Sequence, residues 1–391
     1  MERSKAESNE TRLGPLHGIR VIEIAGVGPA PFCGMLLADM GADVILVERA
    51  GAKAGDPLDL GAHAIFNRGK RSIALDLKTP EGADAVLRLV AGADVLIEGM
   101  RPGVMERLGL GPDVCLARKP SLVYGRMTGW GQDGPLAQTA GHDLNYIALS
   151  GALWYAGQPE SPPLAPPTLV GDLGGGALYL AMGVLAAVLH ARGTGQGQVV
   201  DAAIVDGSAN LMNLLLSLQS AGRMPAERGQ GLLDGPHWYG SYRCACGGFI
   251  TIGALEPQFY AQLLERLDLS KDPEFQRPDD PKRWPALRER LRTLFASRSR
   301  AHWAGLLEGS DACFAPVLTP REAQAHPHLE ARKTYLTQDG VLQAAPAPRF
   351  SAHPQAAVGR VPERGADGAQ ILQDFGYTEN EIESLLFRID A

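Results

Sequence analysis

Residues 19–49 read IRVIEIAGVGPAPFCGMLLADMGADVILVER. A mostly apolar run, Ile19 to Ala25, ends in the turn Gly26-Val27-Gly28. A stretch of small and apolar residues follows. A second apolar run, Ala42 to Glu48, then closes on an acid and Arg49. In a dinucleotide-binding unit this order lets a pyrophosphate sit on backbone N–H groups while the acid holds a ribose. Here the turn runs straight into Pro29 and Pro31. Proline has no N–H to offer a phosphate, and it is ordinary in a helix's first turn. The stretch therefore predicts a βαβ unit with a tight strand-to-helix turn, and it argues against a nicotinamide cofactor there.

The pattern continues. Strand-like runs fall at 19–25, 42–48, 71–77, 93–99, 121–127 and 198–205, with helical stretches near 31–40, 80–91 and 173–191. Strands alternating with helices predict an α/β fold with a mainly parallel sheet covered on both faces. Composition changes at 222–240, rich in Gly, Pro and charge, which reads as a linker. Beyond it, YRCACGGFITIGAL predicts a hairpin turning at Gly247-Gly248, with helices near 257–267, 284–297 and 300–308, a smaller α+β unit. Residues 326–366 read as extended chain. Two helices close the sequence, the second opened by Thr378 with Glu381 three residues on.

The 391 residues suffice for about two or three domains. With 45% apolar and 21% charged residues the composition is that of a soluble globular protein. A net charge of −7 excludes nucleic acid as the main partner, because phosphate backbones need a basic face. The five cysteines lack a zinc spacing, so no metal site is expected. The first 15 residues are polar and are expected to form a disordered tail, not a signal peptide. The longest apolar stretch, 177–191, is 15 residues, short for a bilayer. Neither a membrane association nor a targeting signal is expected, and the location is expected to be cytoplasmic.

Four groups of residues carry chemistry. Arg49, Arg68, Lys70, Arg71, Arg101 and Arg107 cluster at strand ends, and guanidinium groups suit phosphates; a solvated basic edge has the same composition. In TAGHDLNYIALSGAL (139–153), His142 and Asp143 precede a helix. Asp143 fits a helix cap and His142 a loop position as well as a functional site. In LVGDLGGGAL (169–178), Asp172 opens an apolar helix whose first turn holds three glycines. Each glycine costs about 1 kcal/mol relative to alanine, so a ligand or a packed helix must approach that backbone closely. In GALEPQFY (253–260), Glu256 stands before Pro257 at a helix start, where the helix dipole favours an acid.

Taken together, GVGPAPFCGMLLADMGADVILVER, GKRSIALDLK, RPGVMERLGLGPD, YGRMTGWGQDGP, AGHDLNYIALSGAL, LVGDLGGGAL, GTGQGQVVDAAIVDG, GALEPQFY and SDACFAPVLT resemble the α-methylacyl-CoA racemase branch of the family III CoA-transferases. The matching stretches run from about residue 16 to 320. The resemblance implies that the ADP group is that of coenzyme A, entering as part of an acyl-CoA thioester, with no separate cofactor. It implies a Rossmann-like large domain from 16–222 and 327–391, a linker at 223–240 and a small domain at 241–326. It implies an interlocked homodimer. CoA contacts are implied at Arg49, Leu75, Asp76, Leu77, Lys78, Arg101, Arg107, Gly141, Leu144, Asn145 and Tyr146. The transferase branch uses an aspartate at the position of Asp143 to attack the thioester. The racemase branch adds the neighbouring His142, with Asp172 on the other side of the α-carbon and Glu256 supporting the histidine. The implied activity is interconversion of (R)- and (S)-2-methylacyl-CoA through an enolate. CoA transfer through an Asp143 anhydride is the alternative. The segment DGPHWYG (234–240) departs from the racemase pattern DGGAPFY, which bears on the acyl-chain pocket.

Overall fold

The computed structural model describes residues 14–50, 60–353 and 358–390. They divide into two compact units. The first comprises the chain up to Ala152, Pro166–Leu211 and the chain from Leu336 on; the second comprises Leu153–Ala165 and Met212–Tyr335.

In the first unit the chain runs β1 (Arg20–Ile24), α1 (Pro29–Asp39), β2 (Asp43–Arg49), β3 (Arg71–Leu75), α2 (Pro80–Ala91), β4 (Val95–Glu98), α3 (Val104–Arg107), α4 (Pro112–Arg118), β5 (Val123–Thr128), α5 (Asp143–Leu149), a π-helical run Leu169–Ala177, α6 (Leu178–Thr194), β6 (Gln198–Ala203) and α7 (Ile204–Leu211). The six strands form one sheet, order β3-β2-β1-β4-β5-β6, with every neighbouring pair parallel. Side chains alternate across it, as the two-residue period requires. Val21, Val44, Val95 and Val123 pack with α1 and α6 on one face. Ile22, Ile45, Ile73 and Leu96 pack with α2 and the helix Gly368–Asp374 on the other. Each such burial contributes about 1.5–3 kcal/mol. The strands begin and end within two residues of the sequence reading.

The apolar helix is longer than its sequence suggests. With the π-helical run it spans Leu169–Thr194, 26 residues, long and apolar enough to cross a membrane by length and composition alone. Leu180, Val184, Ala187 and Ala191 line its buried stripe in the sheet's core, while Leu178, Met182 and Leu189 are exposed. The three glycines at its start have a packing explanation. A Cβ on Gly175 would lie 2.4 Å from Ser208 Oγ, because α7 crosses there.

The second unit holds α8 (Asn213–Ser220), β7 (Tyr239–Arg243), β8 (Phe249–Gly253), α9 (Pro257–Arg266), α10 (Trp284–Ala296), α11 (Arg300–Leu307) and β9 (Phe314–Val317). Its sheet is antiparallel, order β7-β8-β9. Tyr242, Phe295 and Trp303 stack at 5.0 and 5.1 Å in its core.

Three expectations are corrected. The stretch 223–240 is no linker: Met224, His237 and Trp238 are buried within the second unit. The unit also takes in 153–165, through Trp154 Nε1–H to Ala226 O at 2.7 Å and Arg228 Nη2–H to Ala156 O at 2.8 Å. The chain therefore passes between units four times, at Ala152–Leu153, Ala165–Pro166, Leu211–Met212 and Tyr335–Leu336, the last two in place of 222 and 326. Residues 326–366 are not simply extended: Pro327–Ala331 is helical, and Tyr335–Gln338 pairs with Val341–Ala344. Of the expected tail, residues 1–13 lie outside the described residues.

Candidate active site

Parallel strands place all six C-terminal ends on one edge. The strand order reverses between β1 and β4, and ligands of such sheets bind where it does. Several expected CoA residues leave the sheet at this edge. Arg49 ends β2, Leu75 ends β3, Asp76, Leu77 and Lys78 follow it, and Arg101 and Arg107 follow β4. Arg49, Lys78, Arg101 and Arg107 are exposed, and Leu75 is buried in the core.

Arg68, Lys70 and Arg71 do not join them. They enter β3 at its N-terminal end, and each has an acidic partner. Arg68 Nη2 lies 2.6 Å from Asp39 Oδ2, and Arg71 Nη2 lies 2.7 Å from Asp43 Oδ2. Lys70 Nζ lies 2.8 Å from Glu23 Oε1, with both side chains fully buried. These cations are structural. Losing one partner of a buried pair typically costs about 3–5 kcal/mol.

The chain leaves β5 through residues 129–142 and enters α5. Tyr146 anchors this passage. Its hydroxyl donates to Gly141 O, and its ring meets Trp130 edge-on at 4.7 Å. His142 is the residue before the helix, exposed, with its backbone N–H donating to Asn145 Oδ1 at 3.0 Å. Leu144 is exposed too, and a cavity of about 510 Å³ is lined by Trp130, Leu136, Ala140, Asn145, Ala148 and Leu149.

Asp143 is the first residue of α5, and its side chain turns to another element. Oδ1 accepts the N–H of Gly171 and the N–H of Asp172, each at 2.9 Å. The approach is so close that a Cβ on Gly171 would lie 2.5 Å from that oxygen. Asp172 is half-buried, and its carboxyl is pushed up to about 6. Burial is the main cause and the neighbouring Asp143 charge the next; His142 acts in the opposite direction. Burial raises the Tyr146 phenol, and the Asp172 charge adds to it while Arg101 opposes it. Thus Asp143 is bonded to the backbone of Asp172, with His142 beside it and Tyr146 on the same helix.

Glu256 lies in the second unit, exposed, immediately before α9, with no side-chain capping bond. In the departing segment 234–240, His237 and Trp238 point into that unit's core. His237 Nε2 lies 2.9 Å from Tyr260 Oη, and burial pushes the imidazole down to about 3, so it is neutral. Among the described residues, no three His, Cys, Asp or Glu side chains gather as metal ligands. Sequence reasoning missed the bonds of Asp143 to 171–172 and the hold of Asn145 on His142. The only signal for the first was a glycine, Gly171, directly before Asp172.

This sheet order places the chain among the doubly wound α/β proteins. The sequence matches CoA-transferase family III over residues 16–368, and the chain belongs to that family. It is 40% identical over 373 residues to the α-methylacyl-CoA racemase of Mus musculus, covering 95% of this chain and 96% of the relative. It is 41% identical over 375 residues to that of Homo sapiens, with the same coverage. The fold superposes on the crystal structure of a CaiB/BaiF family protein from Brucella suis with a TM-score of 0.78 and 27% identity, over 93% of this chain and 99% of that one.

A raised aspartate has a consequence for stability. In the unfolded chain an aspartate titrates near 3.9. Asp172 at about 6 means that the folded state binds the extra proton between those values, so rising pH destabilises the fold through this group. Asp172→Asn removes that penalty. Its melting temperature should exceed the parent's at about pH 8, and the advantage should vanish by about pH 4. A pH-independent difference between the two melts would remove the charge of Asp172 as its cause.

Proposed function

We propose that the chain is an α-methylacyl-CoA racemase, interconverting (R)- and (S)-2-methylacyl-CoA thioesters. One observation carries the reading: a histidine and an aspartate share one corner, and the aspartate is held at about 6. An imidazole and a carboxyl can each hold or release a proton. Racemisation requires that symmetry. Each group must serve as base for one enantiomer and as acid for the other, and a proton donor works best when its affinity is near the working pH.

The thioester acidifies its α-carbon. His142 takes the α-proton from one face as the C–H electron pair moves into the enolate. Asp172, holding a proton, returns it to the other face, and the electron pair re-forms a C–H bond with inverted configuration. The opposite enantiomer runs the sequence in reverse. Exposed His142 meets substrate from solvent, and half-buried Asp172 has the partial desolvation that keeps its proton available. The role of Glu256 in supporting the imidazole rests on the family resemblance alone. Arg49, Lys78, Arg101 and Arg107, at the edge where doubly wound sheets take ligands, are proposed to hold the CoA phosphates. The exposed apolar residues Leu178, Met182 and Leu189 on α6 support the proposal that the protein is a homodimer, since such patches mark association surfaces.

Three measurements bear on this. Purified protein incubated with (S)-2-methylacyl-CoA in D2O should yield racemic product carrying one α-deuterium. Hydroxylamine should leave activity unchanged, because no acyl group is bonded to the protein. Acyl-CoA-dependent inactivation by hydroxylamine without α-deuterium would establish CoA transfer through Asp143 instead. Light scattering should give about twice the chain mass; a stable active monomer would refute the dimer.

A further inference from the structure

The start of the apolar helical run is irregular in a specific way. Thr168 precedes it in the left-handed region, φ 62°, and makes no side-chain cap. A non-glycine residue held there costs about 1–3 kcal/mol, so something else must secure this turn. The first backbone bond of the run goes from Leu173 N–H to Thr168 O, five residues back, at 3.0 Å. In an α-helix, Asp172 N–H would take that carbonyl. The π register releases one extra amide, and the amide released belongs to Asp172.

Asp143 Oδ1 accepts it, together with the amide of Gly171. A carboxylate on orphan amides at a helix N-terminus is a favourable cap, from both hydrogen bonding and the helix dipole. This cap comes from a different helix, 29 residues earlier in sequence. Gly171 is the residue that admits it. Turns of the π type recur at functional sites, because one additional residue re-aims the side chains beside it.

Resting on the racemase reading, we propose that Asp143 is a positioning residue: by capping Gly171 and Asp172 from α5 it selects the π register that aims the Asp172 carboxylate at the reacting α-carbon. The same arrangement fixes the distance between His142 and Asp172. His142 adjoins Asp143 on α5, and Asp143 is bonded to the amide of Asp172. An aspartate at the position used elsewhere in the family for attack on a thioester is thereby committed to holding the proton donor. The groups facing Asp172 are Asp143, His142 and Tyr146, with Arg101 acting on Tyr146. Of these, Asp143 is the neighbouring anion.

The test compares Asp143→Ala with Asp143→Asn. Asparagine keeps an acceptor oxygen and loses the charge; alanine loses both. Asp143→Ala should lower kcat about 100-fold, with KM for 2-methylacyl-CoA little changed, since misaiming of about 1 Å has that effect. Asp143→Asn should recover turnover to within about tenfold of the parent, with the acid limb of kcat for the (R) substrate, for which Asp172 is the base, moved to lower pH because the neighbouring anion is gone. Hydrogen exchange of the peptide spanning 168–174 reads the cap without any activity: it should accelerate in the alanine variant and stay slow in the asparagine variant. Equal inactivity of both variants with native melting, full activity of the alanine variant, an unmoved acid limb in the asparagine variant or unchanged exchange in the alanine variant would each overturn the proposal. Should wild-type protein show no α-proton exchange, the racemase reading fails, and the hydrogen-exchange arm still decides whether Asp143 is the cap.

Discussion

Two carboxylates occupy one half-buried corner, and the candidate active site depends on how they share it. Asp143 has the better place, on two backbone amides at a helix N-terminus. Asp172, beside it, receives the repulsion and the desolvation, and its carboxyl rises to about 6. Neither effect needs a metal or a covalent step. The sheet topology fixes where this happens. β5 delivers the chain to α5 through a loop anchored by Tyr146, and α7 packs against Gly175 to hold the facing helical run.

A second raised acid shows what distinguishes a site from a core. Burial raises the Glu23 carboxyl against the opposing pull of Lys70. Yet Glu23 lies fully buried against Lys70, beneath α1, where a Cβ on Gly34 would already strike its carboxylate at 1.8 Å. No substrate reaches it. Asp172 has a neighbouring histidine and an open side. Perturbed proton affinity marks function only where it coincides with access.

The strands, the helices on them and the residues of the corner were legible from the sequence because they rest on local patterns: period-two alternation, proline at helix starts, and family motifs. The failures were non-local. Arg68, Lys70 and Arg71 border a strand, but a strand has two ends, and only the parallel order shows that they stand at the end away from the ligand edge. Their partners Asp39, Glu23 and Asp43 are 28 or more residues away. The second unit's extent is hidden in the sequence because glycine and proline in 223–240 resemble a linker, whereas Met224 and Trp238 are buried. The π register was invisible because nothing within 169–177 selects it; the selecting atom is on Asp143.

Racemisation here uses one acid/base group for each face of the α-carbon. The measurement that tests this directly is stereospecific: α-deuterium incorporation in D2O from separate (R)- and (S)-2-methylacyl-CoA by His142→Ala and by Asp172→Asn. The losses should be complementary. The His142 variant should fail to exchange the (S) substrate, and the Asp172 variant should fail to exchange the (R) substrate, while each still binds both. Equal loss for both enantiomers in either variant would contradict a two-base mechanism.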